Sequence, residues 1–437
     1  MKTYDLIVIG GGPGGYEAAA LGVARGMHTL LIEKEYLGGT CLNRGCIPTK
    51  CFCRSAQVAG DVASAAAFGV DIPAGRVNVD MPRVVARKDA VVAQLRGAVE
   101  DVCAGVEILN AEARFAGPHT VEAADALYTA PKIIIATGSR SAMLPIDGAE
   151  LTVTSTALLD IPVLPRSLAI IGGGVIGMEF ASIFAAFGVE VTVIEYCKEI
   201  LPMFDRDVAK QLRTALKRRG VEIHTEAEVC AVSSGEGIMK RVEFTKKGKS
   251  AAVEAEYVLM AVGRRPVVPA GLEEAGIAVG RRGVEVDARF ETSVPGVYAI
   301  GDCNGLCLLA HAASAQAKVV MGEEVDLSVV PSAVFTVPEC AMAGITEEQC
   351  KASGLSYEVR KRTFRSNGKA LAMGEPEGVV KLISDQTTGL LLGCQIVGPH
   401  AADLIAEAAL AMSQRLPASA ISRTIHSHPT LGEALCN

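Results

Sequence analysis

Two stretches of this chain repeat one design 162 residues apart, and that repeat limits the architecture more than any other feature. The first reads DLIVIGGGPGG, a helix-like segment, then HTLLIEK; the second reads SLAIIGGGVIG, another helix-like segment, then EVTVIEY. Gly10, Gly12 and Gly15 align with Gly172, Gly174 and Gly177, and Glu33 aligns with Glu195. A glycine triplet alone says little. Here each triplet follows an apolar strand, opens a helix, and has a carboxylate about twenty residues on, at the end of the next strand. The first glycine permits a tight turn, the second lets a pyrophosphate approach the backbone, and the third lets helix and strand pack closely, while the helix N-terminus faces the phosphates. The expected fold is therefore α/β, with two Rossmann-like dinucleotide-binding domains.

Each carboxylate is placed to accept hydrogen bonds from an adenosine ribose. Glu195 is followed by Tyr196 and Cys197, with no arginine nearby to pair with a 2′-phosphate, so the second site is expected to prefer NAD(H) to NADP(H). Other apolar runs also stop at a glycine: KIIIATGSR from Lys132, YVLMAVGRRP from Tyr257, and VYAIGDC from Val297. The last puts Asp302 at a strand end, where a carboxylate can hold the ribityl hydroxyls of a flavin.

The segment GGTCLNRGCIPTK, Gly38 to Lys50, places Cys41 and Cys46 five residues apart. In a regular helix that step rises about 7.5 Å and rotates by more than a turn, too far for disulfide geometry. The backbone must bend if the two sulfurs pair; Gly45 and Pro48 supply the means. A strained, partly exposed disulfide is the reducible kind.

Thirteen cysteines scattered over 437 residues form no repeating framework. A reducing, cytoplasmic setting fits that pattern, and there a disulfide is typically transient and catalytic. Cys51 and Cys53 lie near the pair, but the four spacings do not match a zinc knuckle and no histidine flanks them, so no metal is expected. The length implies two to four domains. A net charge of −7 without a basic cluster argues against nucleic acid and an anionic membrane surface. The longest apolar stretch, Leu168 to Ile194, is broken by glycines, Glu179 and Glu190, so it does not read as a membrane span, and the N-terminus lacks a signal-peptide layout.

Taken together, GGTCLNRGCIPTK, both dinucleotide motifs, ATGS, VGRRP, AIGDC, LAHAAS and HSHPTLGE resemble the pyridine nucleotide-disulfide oxidoreductases over essentially the whole chain, and within them the branch that oxidises dihydrolipoamide. That resemblance implies a discontinuous FAD domain (1–145 and 266–330), an inserted NAD domain (146–265), and an α+β C-terminal interface domain (331–437). It also implies a homodimer whose active site takes a histidine from the other subunit, and a place beside the lipoyl domains of a 2-oxoacid dehydrogenase or glycine cleavage complex.

Family roles transfer to matching positions. Cys41 resembles the interchange thiol and Cys46 the charge-transfer thiol beside the flavin. His428 resembles the base, oriented by Glu433, with His426 its near neighbour; Lys50 would sit by the flavin with Glu179 as its buried partner. The implied FAD set is Gly10, Gly12, Gly15, Glu33, Lys50, Ala113, Thr137, Gly138, Ser139, Asp302, Leu309, Ala310 and His311. The implied NAD set is Gly172, Gly174, Gly177, Glu179, Glu195, Val229 and Gly263. Two alternatives stay open: a reductase of another small disulfide, glutathione- or mercuric-reductase-like, and a redox-idle FAD-containing docking subunit. Cys436, a single thiol where some relatives carry a C-terminal pair, is expected to be incidental.

Overall fold

The strand Leu6–Ile9, sequence LIVI, is buried along its whole length because it is the middle of a parallel sheet with both faces covered. The computed structural model describes residues 1–72 and 78–436. The chain divides into two compact units, the first made of 1–51, 83–142 and 264–327, the second of 52–82, 143–263 and 328–437.

In the first unit five parallel strands lie in the order Val297–Ala299, Lys132–Ile135, Leu6–Ile9, Thr29–Glu33 and Glu107–Asn110. Leu6 pairs with Thr29 on one side and Lys132 on the other, so the carboxyl ends of these strands finish together. Gly10 follows the central strand, and helix Pro13–Ala24 returns across the sheet to pack on helix Ala310–Val320. A second, four-stranded sheet combines Lys2–Thr3 with Ala126–Thr129, Thr120–Ala123 and Ala113–Gly117. Phe115, Val121 and Tyr128 from it join Ile7, Ile133 and Val297 in one apolar core.

The second unit repeats the nucleotide design. Its four parallel strands run in the order Glu222–His224, Glu190–Ile194, Ser167–Ile171 and Tyr257–Met260. Helix Val175–Ala186 has the same 12-residue length as Pro13–Ala24 and begins 162 residues later. An antiparallel sheet of Ala227–Ser234, Lys240–Lys246 and Lys249–Ala255 follows. The C-terminal part carries a five-stranded antiparallel sheet, ordered Ser332–Val334, Glu339–Gly344, Leu391–Gly398, Val379–Asp385 and Tyr357–Thr363. Helix Ala401–Ser413 packs on it through Ile405, Ala408 and Met412. No helix among the described residues is long and apolar enough to cross a membrane.

Candidate active site

The two glycine turns share their backbone geometry at the matching glycines. Gly10 and Gly172 have φ of +102° and +107°, in the range that side chains disfavour. A Cβ on Gly15 would lie 1.8 Å from the Gly10 carbonyl oxygen, and one on Gly177 would lie 2.0 Å from that of Gly172, so helix and strand touch there. A Cβ on Gly12 or Gly174 would meet nothing within 4 Å. Those two glycines are also the N-caps of their helices, and neither helix has a side-chain cap. Open space therefore adjoins uncapped N–H donors at both sites, which is what a pyrophosphate requires.

The acidic residues are duplicated as well. Glu33 accepts the Gly11 N–H at 2.6 Å and the Glu35 N–H at 2.8 Å. Glu195 accepts the N–H groups of Gly173 and, at 2.6 Å, of Cys197. Each carboxylate thus ties its strand end to the glycine turn while retaining lone pairs for a ribose. Burial pushes Glu33 above the usual carboxylate range, and the Gly11 N–H opposes that.

Asp302 lies in the short turn Gly301–Asn304, just past the strand Val297–Ala299. Ser139 donates its hydroxyl to Asp302 Oδ2 at 2.5 Å. Arg264 secures both: its Nε is 2.7 Å from Ser139 Oγ, its Nη2 is 2.6 Å from the Ser139 carbonyl oxygen, and its Nε is 3.8 Å from Asp302 Oδ2. Burial pulls this guanidinium down, while the charges of Asp302 and Cys46 pull it back up. Arg264 was absent from the residues singled out by sequence, because VGRRP signals a turn and not which of its arginines turns inward. Thr137 Oγ1 donates to the Val267 carbonyl oxygen at 2.6 Å, and the Gly138 carbonyl accepts the Val267 N–H at 2.9 Å. Leu309 caps helix Ala310–Val320, whose first turn holds an exposed His311. Ala113 begins the strand Ala113–Gly117 and Val229 lies within Ala227–Ser234, both with side chains buried in apolar cores, which leaves only their backbones to a ligand. Gly263, at φ +113° with open space beside it, follows Tyr257–Met260.

The cysteine pair lies where one helix gives way to another. Cys41 is on helix Gly39–Arg44 and Cys46 opens helix Cys46–Ser64, with Gly45 between them. A Cβ on Gly45 would fall 2.8 Å from the Thr40 carbonyl oxygen, so the break depends on glycine. Across that break the two sulfurs share a hydrogen bond. It is the main cause of the raised Cys41 pKa, with burial second and Lys50 acting in the opposite sense. Cys41 is half-buried and Cys46 is exposed. Asn43 holds the preceding helix through the Leu37 and Gly39 carbonyls at 2.9 Å, and Arg96 donates to Asn43 Oδ1 at 2.7 Å. Lys50 is half-buried on Cys46–Ser64. Glu179, 4% exposed on Val175–Ala186, accepts the Phe335 N–H at 3.0 Å.

His428 and Glu433 form a local dyad, with Nδ1 2.9 Å from Oε1. The other oxygen of Glu433 accepts the Thr430 N–H at 2.9 Å, in the capping box of the turn Leu431–Ala434. That N–H, then His428, holds the carboxyl below its usual range. Because Nδ1 faces the carboxylate, the lone pair of a neutral ring is at Nε2, on a side chain 79% exposed.

Residues 4–317 match the family model described as pyridine nucleotide-disulphide oxidoreductase, and residues 330–437 match the dimerisation domain of the same family. The chain is similar to a dihydrolipoyl dehydrogenase of Thermus scotoductus, 41% identical over 100% of this chain and 96% of that protein. A dihydrolipoyl dehydrogenase of Geobacillus stearothermophilus is 39% identical over 98% and 94% of the two chains. Among solved structures, the HOCl-induced flavoprotein disulfide reductase RclA from Escherichia coli, in its Cu(II) complex, superposes with a TM-score of 0.88 at 31% identity. The match covers 100% of this chain and 98% of that one.

Proposed function

On the premise that the chain belongs to the pyridine nucleotide-disulphide oxidoreductases, a family that uses FAD and NAD(H), we propose that it oxidises dihydrolipoyl groups with NAD+ through Cys41 and Cys46. It is a flavin-dependent disulfide oxidoreductase. The observation that carries the reading is the thiol pair joined across the Gly45 break. On this reading FAD occupies 1–145 with 266–330, NAD(H) occupies 146–265, and 331–437 forms the dimer contact.

Gly12 and Gly174 leave room for two pyrophosphates beside uncapped helix ends, and Glu33 and Glu195 would accept hydrogen bonds from the riboses. Asp302, fixed by Ser139 and Arg264, would hold the ribityl chain of FAD. FAD, when bound, takes two electrons from a dithiol and passes them on as a hydride to nicotinamide, a conversion no side chain performs. With Cys41 and Cys46 as a disulfide, a substrate thiolate attacks Cys41, the Cys41–Cys46 bond breaks and its electron pair stays on Cys46. The second substrate thiolate then attacks the first substrate sulfur and displaces Cys41, leaving the substrate as a disulfide and the cysteine pair as a dithiol. The substrate thiol needs a base, because a free thiol near pKa ~8.5 is mostly protonated at neutral pH. His428 takes that proton at Nε2, and Glu433 stabilises the imidazolium. The exposure of His428 suits a base offered to the site of a second subunit. Lys50 and Glu179 act near the nicotinamide side. Lipoyl domains of a multienzyme complex are the proposed partners, and the cytoplasm the proposed location.

Lipoamide-dependent NADH oxidation, assayed beside glutathione disulfide and mercuric ion at equal enzyme, tests this. Lipoamide should dominate, and His428→Gln should lower its turnover by about 100- to 10,000-fold while FAD stays bound. Preferred turnover of either other acceptor, or an unchanged His428→Gln enzyme, would overturn the assignment.

A further inference from the structure

The short helix that carries Cys41 has few fastenings of its own. Gly39–Arg44 is six residues long; it opens on Gly38 and Gly39, at φ +91° and +57°, and ends at the Gly45 break. Glycine gives a segment backbone freedom and no side chain to pack. Cys46, by contrast, opens the 19-residue helix Cys46–Ser64, whose Thr49 ties back to the Gly45 carbonyl through its N–H at 3.0 Å and its hydroxyl at 2.7 Å. Of the two sulfurs, the one on Gly39–Arg44 is the freer to drift.

Asn43 and Arg96 hold that helix from outside, all within the first compact unit. Asn43 Nδ2 donates to the Leu37 and Gly39 carbonyls at 2.9 Å, which closes the glycine turn onto the helix. Its Oδ1 accepts Nη2 of Arg96 at 2.7 Å and Nε at 3.1 Å. Both ends of the amide are thereby engaged. The guanidinium carbon also lies 4.1 Å from the centre of the Tyr36 ring, which fixes its plane from a second side. Arg96 stands on the 22-residue helix Met81–Val102, where Val92, Leu95 and Val99 pack into the same core as Leu37 and Leu42.

On its other side the segment meets the first nucleotide turn. The Gly38 N–H donates to the Gly11 carbonyl at 2.8 Å, and a Cβ on Gly39 would fall 2.7 Å from Gly12 Cα. Residues 37–43 are thus pinned between that turn and Arg96. Forming the disulfide brings the sulfurs from hydrogen-bond contact to about 2.05 Å. How readily they do so depends on how closely the dithiol form already holds them, because groups kept in reach react at effective concentrations far above those of free reagents. Loosening the Cys41 helix widens the dithiol ensemble and leaves the covalently closed disulfide little changed. The balance then moves toward the dithiol.

We propose that, given the Cys41–Cys46 redox pair of the proposed function, Arg96 is a positioning residue for its thiol–disulfide chemistry: through Asn43 it keeps Cys41 within bonding reach of Cys46 and so sets how strongly the pair favours the disulfide. In the equilibrium with a dithiol reagent, the two protein thiols give up two electrons and two protons and the Cys41–Cys46 bond forms. The reagent's disulfide takes both and opens to two thiols.

The test equilibrates the FAD-loaded protein under argon in buffers of reduced and oxidised dithiothreitol, quenches in acid and alkylates, reading Cys41 and Cys46 in the tryptic peptides 35–44 and 45–50. Arg96→Met should lower the equilibrium constant for the disulfide by about tenfold, the lower end of what a hydrogen bond to a charged group supplies, which is about 30 mV for a two-electron couple. Arg96→Lys keeps the charge but not the planar fork, so it should show at least about half of that shift on a logarithmic scale. Asn43→Ala with Arg96→Met should shift no further than Asn43→Ala alone, since both act through one contact. An Arg96→Met midpoint within about twofold of the unsubstituted protein, full restoration by lysine, or an additive double variant overturns the proposal while the proposed function stands. In the unsubstituted protein the amides of residues 42–44 should stay protected from hydrogen exchange in the dithiol form. Exchange there at the rate of an unfolded peptide overturns the proposal without any variant. A pair that forms no disulfide in any buffer removes the proposed function, and Arg96's role with it.

Discussion

Lys381→Met should destabilise the second unit by about 3 kcal/mol at neutral pH. Lys381 is 1% exposed, and its Nζ lies 2.9 Å from Asp205, 3.0 Å from Asp207 and 2.8 Å from Glu347. Taking one partner from a buried ion cluster leaves an uncompensated charge and costs roughly 3–5 kcal/mol. The lower end applies because the carboxylates keep other donors. Asp205 retains Gln395 Nε2 at 2.7 Å and the Glu347 N–H at 3.1 Å, and Asp207 retains Lys361 at 2.5 Å. The pH dependence follows from the signs. Burial pulls Lys381 down, but the carboxylates outweigh it and the net shift is upward, so its contribution persists to pH values above its ordinary 10.5. Glu347 is held at about 2 by Lys351 and then Lys381, so its contribution is present above its ordinary 4.5 and is lost as pH falls from there toward 2. The gap between the two proteins should therefore be full at pH 7 and shrink below about pH 4.5. Urea denaturation followed by far-ultraviolet circular dichroism measures the gap, and hydrogen exchange in helix Arg206–Arg218 locates it. A loss below about 1 kcal/mol, or one that does not change between pH 6 and 2, would refute the reasoning.

Two further substitutions address the nucleotide sites. Glu195→Gln removes the charge that disfavours a 2′-phosphate while one side-chain oxygen can still accept an N–H from the turn, so the NADH-over-NADPH preference in kcat/KM should fall by about 10-fold or more; equal use of both nucleotides by the unsubstituted protein would sink the assignment. Arg264→Gln should free Ser139 and Asp302 and raise the FAD dissociation constant by about 10- to 100-fold, the cost of charged hydrogen bonds lost at a buried site. Flavin fluorescence after dialysis reads this directly, and unchanged retention would show that Arg264 does not position them.

Both nucleotide folds were legible because glycine spacing and strand hydrophobicity are local properties: Gly15 packs on Gly10 and Glu33 accepts the Gly11 N–H within one strand–turn–helix–strand unit, and the counterparts Gly177, Gly172, Glu195 and Gly173 repeat this. The helix break at Gly45 was legible for the same reason. The backbone role of Glu33 and Glu195 was hidden, since sequence marks a carboxylate at a strand end without showing which N–H groups it accepts. Arg264 meets Ser139 across 125 residues of sequence, Arg96 meets Asn43 across 53 and Lys381 meets Asp207 across 174, separations that no periodicity encodes. The contact of Cys436 with His426 spans only ten residues, yet it forms across irregular backbone, which no periodicity marks.

Differential alkylation of the FAD-loaded protein before and after anaerobic addition of one equivalent of NADH tests the central claim most directly. Trypsin places Cys41 in residues 35–44 and Cys46 in residues 45–50, so the two thiols are read separately. The account predicts that the two peptides are joined by a disulfide before NADH and that both become alkylated after it, with no comparable change at the other cysteines. NADH that reduces the flavin while Cys41 and Cys46 stay as they were would contradict it.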